Sequence, residues 1–156
     1  LKPDSTLLDF GCGTGRLAEK AIPYLVNNGY TGIDISPMAI TLCREKYGPH
    51  FYDGDGTLKK ILDKGFPHVD FIFSHSVLPH LPPESVVALF DDLGGWDFGQ
   101  FFFTYKQGED NARTGLKQFA YSVKWLIKTA AEYGLKVSSD PMVWPAGQRT
   151  MKCSKV

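Results

Sequence analysis

The sequence predicts an α/β fold: a doubly wound, mostly parallel seven-stranded sheet with helices on both faces and an antiparallel last strand. Three observations predict it. Short apolar runs alternate with helix-like segments along the 156 residues. A glycine-rich turn, Gly11-Cys12-Gly13-Thr14-Gly15, directly follows the first apolar run. The last two strand-like segments are joined by a connection too short for a crossover helix, so the final strand must enter antiparallel.

Leu7-Leu8-Asp9-Phe10, bounded by Ser/Thr before and glycine after, reads as a buried strand. A helix is expected from about Arg16 to Val26, with Pro23 weakening its last turn. Asn27-Asn28-Gly29 stops it, and Tyr30 to Ile35 forms the second strand. Ser36-Pro37 starts the next helix, because serine caps free N–H groups and proline suits the first helical position. Gly48-Pro49 ends that helix. His50 to Asp53 is a third strand, followed by the turn Gly54-Asp55-Gly56 and a brief helix around Leu58–Leu62. Val69 to Ser74 is the fourth strand, and Pro82-Pro83-Glu84 opens a helix running through Leu93. Gln100 to Tyr105 is the fifth strand, so continuously apolar that burial on both faces is expected; its run Phe101–Phe103 is assigned to the core. A long amphipathic helix is expected from about Thr114 to Tyr133, and two final strands near Leu135–Ser139 and Arg149–Ser154. No repeat or linker interrupts the chain, so residues 1–156 read as one domain; because the first strand begins within a few residues of Leu1, an N-terminal segment is expected to be missing.

Charge narrows the partners. Lys+Arg and Asp+Glu are both 17, so the broad basic field that attracts nucleic acid or anionic membranes is absent. Cys12, Cys43 and Cys153 have neither disulfide-framework nor metal-ligand spacing. No metal site is expected. With no membrane-length apolar run and no signal-peptide pattern, the expected location is cytoplasmic.

The site is expected at the carboxyl ends of the strands, where strand order reverses. Glycines after the first strand let the backbone approach a ligand, and the following helix aims its N–H groups at it. Asp34 closes the second strand about 20 residues further on, the spacing at which a carboxylate meets ribose hydroxyls. Two carboxylate oxygens suit a vicinal diol.

The order of these motifs resembles the Rossmann-like S-adenosylmethionine-dependent methyltransferases. Leu8-Asp9-Phe10-Gly11-Cys12-Gly13-Thr14-Gly15 is similar to their first motif, Gly32-Ile33-Asp34-Ile35-Ser36 to their second, and Gly54-Asp55-Gly56 to their third. Val69 to Ser74 through His80-Leu81 resembles the fourth strand and its loop, and Gly147-Gln148-Arg149 a common ending. The resemblance implies S-adenosylmethionine as cofactor. It implies Asp9, Gly11, Gly13 and Gly15 at the methionine end, Asp34 with Ile35 at the ribose, Asp55 with Gly56 at the adenine, and Ser74 near the methyl group. A dinucleotide turn would need glycine at the sixth position of Gly-x-Gly-x-x-Gly, where this chain has Arg16.

A base is required only when the acceptor loses a proton, and histidine suits that task near neutrality. His75, after the fourth strand, is the expected catalytic residue; His80 is the weaker choice. Tyr105 and Trp144 are candidates to wall an acceptor pocket, and Cys12 reads as a small turn residue. Ser74-His75-Ser76-Val77 lacks the Asn/Asp-Pro-Pro-Tyr turn of amino-directed nucleic acid methyltransferases, so the resemblance implies methyl transfer to oxygen, nitrogen or carbon of a small-molecule acceptor. The alternatives are a methyltransferase-like binding module without turnover and a nicotinamide-dependent oxidoreductase.

Overall fold

The computed structural model describes residues 1–63, 65, 68–116 and 118–156. Its elements are, in chain order, β1 (Leu7–Phe10), α1 (Ala18–Tyr24), β2 (Tyr30–Asp34), α2 (Pro37–Tyr47), β3 (Phe51–Asp53), α3 (Lys59–Leu62), β4 (Val69–Ser74), α4 (Pro83–Gly95), β5 (Phe98–Lys106), β6 (Ala112–Gly115), β7 (Gln118–Ala120), α5 (Val123–Glu132), β8 (Leu135–Val143) and β9 (Gln148–Lys155). Short 3-10 turns at Leu78–His80 and Pro145–Gly147 complete the set.

Seven strands form one sheet in the order β3-β2-β1-β4-β5-β9-β8. Pairings from β3 through β5 are parallel, whereas β9 runs antiparallel to both β5 and β8. The strand order reverses between β1 and β4, which opens a crevice at their carboxyl ends.

Strand alternation divides the core. Leu8 and Phe10 face the larger cluster, which includes Ile72, Phe101 and Phe103 with Leu89, Phe90 and Leu93 of α4 and Leu126 and Ala130 of α5. Leu7 faces a smaller cluster with Tyr30 and Phe51 beneath Ala18 and Ala21 of α1 and Ile40 and Cys43 of α2. Phe102 is half-buried, with Lys152 Nζ 5.9 Å from its ring centroid, so only Phe101 and Phe103 of the phenylalanine run are deep core.

The local signals behave as their chemistry requires. Ser36 Oγ accepts from the Ala39 N–H at 3.3 Å, Pro37 is the first residue of α2, and Gly48 closes it with φ +98°. Helix α1 spans only Ala18–Tyr24, shorter at both ends than expected, with Pro23 inside its last turn. Strands β5, β8 and β9 are longer than expected because pairing within the sheet extends them past their apolar runs.

One expectation fails. The helix expected from Thr114 to Tyr133 starts only at Val123, where Ser122 Oγ caps it by accepting from the Trp125 N–H at 3.4 Å. The residues before it form the β6–β7 hairpin and then pair with the chain leaving β5: the Tyr121 N–H donates to Lys106 O (2.8 Å) and the Gly108 N–H to Tyr121 O (3.0 Å). Tyr121 is fully buried and its hydroxyl donates to Leu81 O. Its burial comes from tertiary contacts outside any helical stripe, and periodicity alone does not distinguish the two.

Candidate functional site

A cavity of about 530 Å³ opens in the crevice beside β1, within the usual range for a small-ligand site. One side is Phe10, Gly11, Ile33, Asp34 and Ile35; a second is Gly54, Asp55, Gly56 and Thr57; the third comes from the loop after β4 and from α4.

Gly11 is required twice over. Its φ is +81°, and a Cβ there would lie 2.1 Å from Val77 Cγ2, so the loop after β4 packs directly onto the turn. The Gly13 N–H donates to Asp34 Oδ2 and the Ser36 N–H to Asp34 Oδ1, each at 2.8 Å. Asp34 thereby ties the glycine turn to the start of α2. Each of its oxygens accepts one of these N–H groups and retains a second lone pair. Asp55 Oδ1 accepts from the Thr57 hydroxyl (2.7 Å) and N–H (3.1 Å), an arrangement that shapes the turn after β3.

Of the residues expected from sequence, Gly11, Asp34, Ile35, Asp55, Gly56, His75 and His80 line the cavity together. Ile35 is 69% exposed, presenting an apolar surface beside Asp34. The others sit elsewhere. Gly15 packs beneath α2, where a Cβ would meet the Tyr47 ring at 2.6 Å. Ser74 is fully buried behind the wall and its Oγ makes no hydrogen bond. Tyr105 lies in the main core, so it does not wall an acceptor pocket.

Asp9 is 3% exposed and points into the α1–α2 side of the sheet, where its Oδ2 accepts from the Tyr30 hydroxyl at 2.7 Å. Burial pushes its carboxyl up to about 6; the Tyr30 hydrogen bond opposes the rise and the charge of Asp34 adds to it. Its carboxylate is not part of the cavity lining. Cys12 and Cys43 lie in the same cluster, and burial pushes both thiols up, which keeps them protonated and inert.

His75 stands at the rim with Trp144 tilted against it, ring centroids 4.6 Å apart, and Phe73 stacked at 6.4 Å. The Trp144 Nε1–H donates to Thr150 Oγ1 at 2.8 Å, which fixes that ring. Burial and then the Arg16 guanidinium lower the His75 pKa, so the imidazole is neutral at neutral pH and has a lone pair to accept a proton.

The wall that sequence reasoning missed is Val77 and Leu81 with Glu84, Ser85 and Ala88 of α4. Its signal was faint: a helix start at Pro82-Pro83-Glu84, with nothing to say that its first turns face a ligand.

Residues 8–94, more than half of the chain, match a family model described as a methyltransferase domain. The chain belongs to that family. It is a class I S-adenosylmethionine-dependent methyltransferase, and S-adenosylmethionine is its cofactor. The matched residues carry β1 through α4 and therefore every element that lines the cavity. Solved structures of similar fold include the magnesium protoporphyrin IX methyltransferase of Synechocystis PCC 6803 with bound S-adenosylhomocysteine, at 16% identity and TM-score 0.75, covering 99% of this chain and 75% of that one. An S-adenosylmethionine-dependent methyltransferase from Mesorhizobium loti matches at 14% identity and TM-score 0.74, covering 97% and 91%. An O-methyltransferase from neocarzinostatin biosynthesis, solved with S-adenosylhomocysteine and 1,4-dihydroxy-2-naphthoic acid, matches at 16% identity and TM-score 0.70, covering 97% and 49%.

The residues present fit a nucleoside-bearing cofactor. The Asp34 oxygens retain lone pairs for a diol, Ile35 and Val77 provide apolar surfaces, and Gly11, packed against Val77, lines the cavity beside them. Among the described residues no group of three or more His, Cys, Asp or Glu is placed to hold a metal, and no helix is long and apolar enough to cross a membrane.

Proposed function

We propose that this methyltransferase transfers a methyl group to oxygen, nitrogen or carbon of a small-molecule acceptor, with the cofactor in the cavity beside β1. The observation that carries the reading is the convergence of Gly11, Asp34, Asp55 and His75 from four segments onto one cavity. When bound, S-adenosylmethionine supplies an electrophilic methyl on a sulfonium that is already a good leaving group. The chain's task is to position the acceptor and exclude water.

In this reading Asp34 accepts from the ribose hydroxyls while its two backbone N–H groups hold it in place. Asp55 and Gly56 receive the adenine between Ile35 and Val77. Gly11 and Gly13 border the methionine end, with Asp9 and Gly15 supporting the turn from beneath. His75, neutral and at the rim, takes the proton of an acceptor hydroxyl or amine; Ser74 acts from behind the wall as part of the strand end. Trp144 and Phe73 offer flat apolar surface next to His75 for an acceptor to lie against. The zero net charge supports a small-molecule acceptor over nucleic acid, and three free cysteines support a reducing, cytoplasmic setting.

Titration calorimetry tests the cofactor site. The parent is expected to bind S-adenosylmethionine and S-adenosylhomocysteine and not NADH. Asp34→Ala is expected to weaken S-adenosylhomocysteine by about 30-fold or more, as loss of charge-assisted hydrogen bonds implies. Unchanged affinity in that variant, or binding of NADH alone, would overturn the assignment.

A further inference from the structure

Beside His75, three residues from three segments close a hydrogen-bonded ring. The Ser76 N–H donates to Thr104 Oγ1 (2.7 Å), the Thr104 hydroxyl donates to Gln148 Oε1 (2.6 Å), and Gln148 Nε2 donates to Ser76 Oγ (2.8 Å). The directions are forced. Thr104 Oγ1 receives a backbone amide that can only donate, so its single proton goes to Gln148. The amide oxygen of Gln148 must then face Thr104, which leaves its nitrogen for Ser76.

The ring holds an unfavourable backbone. Ser76 has φ +62°, a left-handed conformation that residues other than glycine adopt infrequently. That twist separates His75 from Val77, sending one to the rim and the other onto Gly11. Thr104 is fully buried, so its hydroxyl has no water to turn to if Gln148 is removed. Gln148 does not itself line the cavity, and its link to Ser76 spans 72 residues of sequence.

We infer that Gln148 is a positioning residue: with Thr104 it locks left-handed Ser76 and thereby holds His75 and Val77 in the cavity wall. The functional part of this inference rests on the cavity being the cofactor site, and the test separates the two claims.

The lock is read first without ligand, by amide hydrogen exchange of Ser76 followed by NMR. Gln148→Leu is expected to speed Ser76 exchange by about tenfold or more while Ile72 in β4 keeps its parental rate, since a buried partner has lost its acceptor. Gln148→Glu, whose carboxylate accepts from the Thr104 and Ser76 hydroxyls alike, is expected to stay within about threefold of the parent. Met151→Ala, a core truncation on the same strand, controls for loss of stability. The second reading is S-adenosylhomocysteine affinity at a temperature where every variant is folded by circular dichroism. There Gln148→Leu is expected to lose about tenfold, with Gln148→Glu and Met151→Ala near the parent. A Gln148→Leu variant whose Ser76 exchange matches the parent, or shifts no more than in Met151→Ala, overturns the lock. Accelerated exchange with unaltered affinity overturns its role in binding. If the parent itself fails to bind, the cofactor site is refuted, and the exchange rates still decide the lock.

Discussion

Replacing Asp9 by Asn isolates the cost of a buried carboxylate beneath the glycine turn. Asp9 is 3% exposed and its pKa is raised from 3.8 to about 6, chiefly by burial. A folded pKa above the unfolded one means that the native state binds the proton more tightly. The stability this provides is complete below the unfolded pKa and is lost as pH rises through the folded pKa. At about 1.4 kcal/mol per unit, the ionised form costs about 3 kcal/mol at pH 8. Asn keeps an oxygen for the Tyr30 hydroxyl and never ionises, though its buried NH2 adds a pH-independent penalty. The informative quantity is therefore the slope. Urea unfolding of the ligand-free parent and of Asp9→Asn between pH 4 and 8 is expected to show the variant gaining about 2 to 3 kcal/mol on the parent across that range. A difference that stays flat with pH would refute the reasoning, because it would mean the carboxyl titrates alike in the folded and unfolded chain.

Gly11→Ala combines a left-handed φ with a Cβ 2.1 Å from Val77 Cγ2, and is expected to cost about 2 kcal/mol or more of stability and to abolish S-adenosylhomocysteine binding, read by thermal denaturation and calorimetry. For an acceptor that loses a proton, found by metabolite screening, His75→Ala is expected to lower turnover about 100-fold with cofactor affinity within about threefold of the parent; full turnover would remove the base. At the opposite end of the sheet, His68 Nδ1 meets Asp97 Oδ2 at 2.9 Å and its Nε2 meets Asp70 Oδ1 at 3.4 Å, and the Asp97 hydrogen bond leads in raising its pKa. That stabilisation is present below the ordinary histidine pKa of about 6.5 and fades as pH rises through the higher folded value, so the stability gap between parent and His68→Ala is expected to narrow from pH 6 to pH 8 in chemical denaturation.

Legibility from sequence followed the range of the interaction. Ser36-Pro37, Gly48 and the glycine turn announce themselves because caps and positive φ are settled by adjacent residues. Asp34 is legible because a strand end about 20 residues past the glycine turn places a carboxylate at the crevice, whereas Asp55 follows only from the resemblance of Gly54-Asp55-Gly56 to the third methyltransferase motif. Asp9 was harder. Its motif position implied the cofactor, but the alternation of β1 turns it toward Tyr30, away from the cavity. The β6–β7 hairpin was unreadable from residues 112–121, since the pairing of Tyr121 with Lys106 and Gly108 and its hydroxyl contact to Leu81 lie outside that window.

The sequence by itself determined the alternation of strands and helices, the antiparallel entry of the last strand and the place of Asp34 at the end of β2. Each of these follows from periodicity, cap chemistry or connection length, which act over a few residues. Only the tertiary structure decided which side of the sheet Asp9 faces, that α4 walls the cavity, and that Gln148 reaches across β5 to the loop bearing His75. Those outcomes depend on strand register and order, which bring together groups 21 to 72 residues apart and which no local pattern encodes.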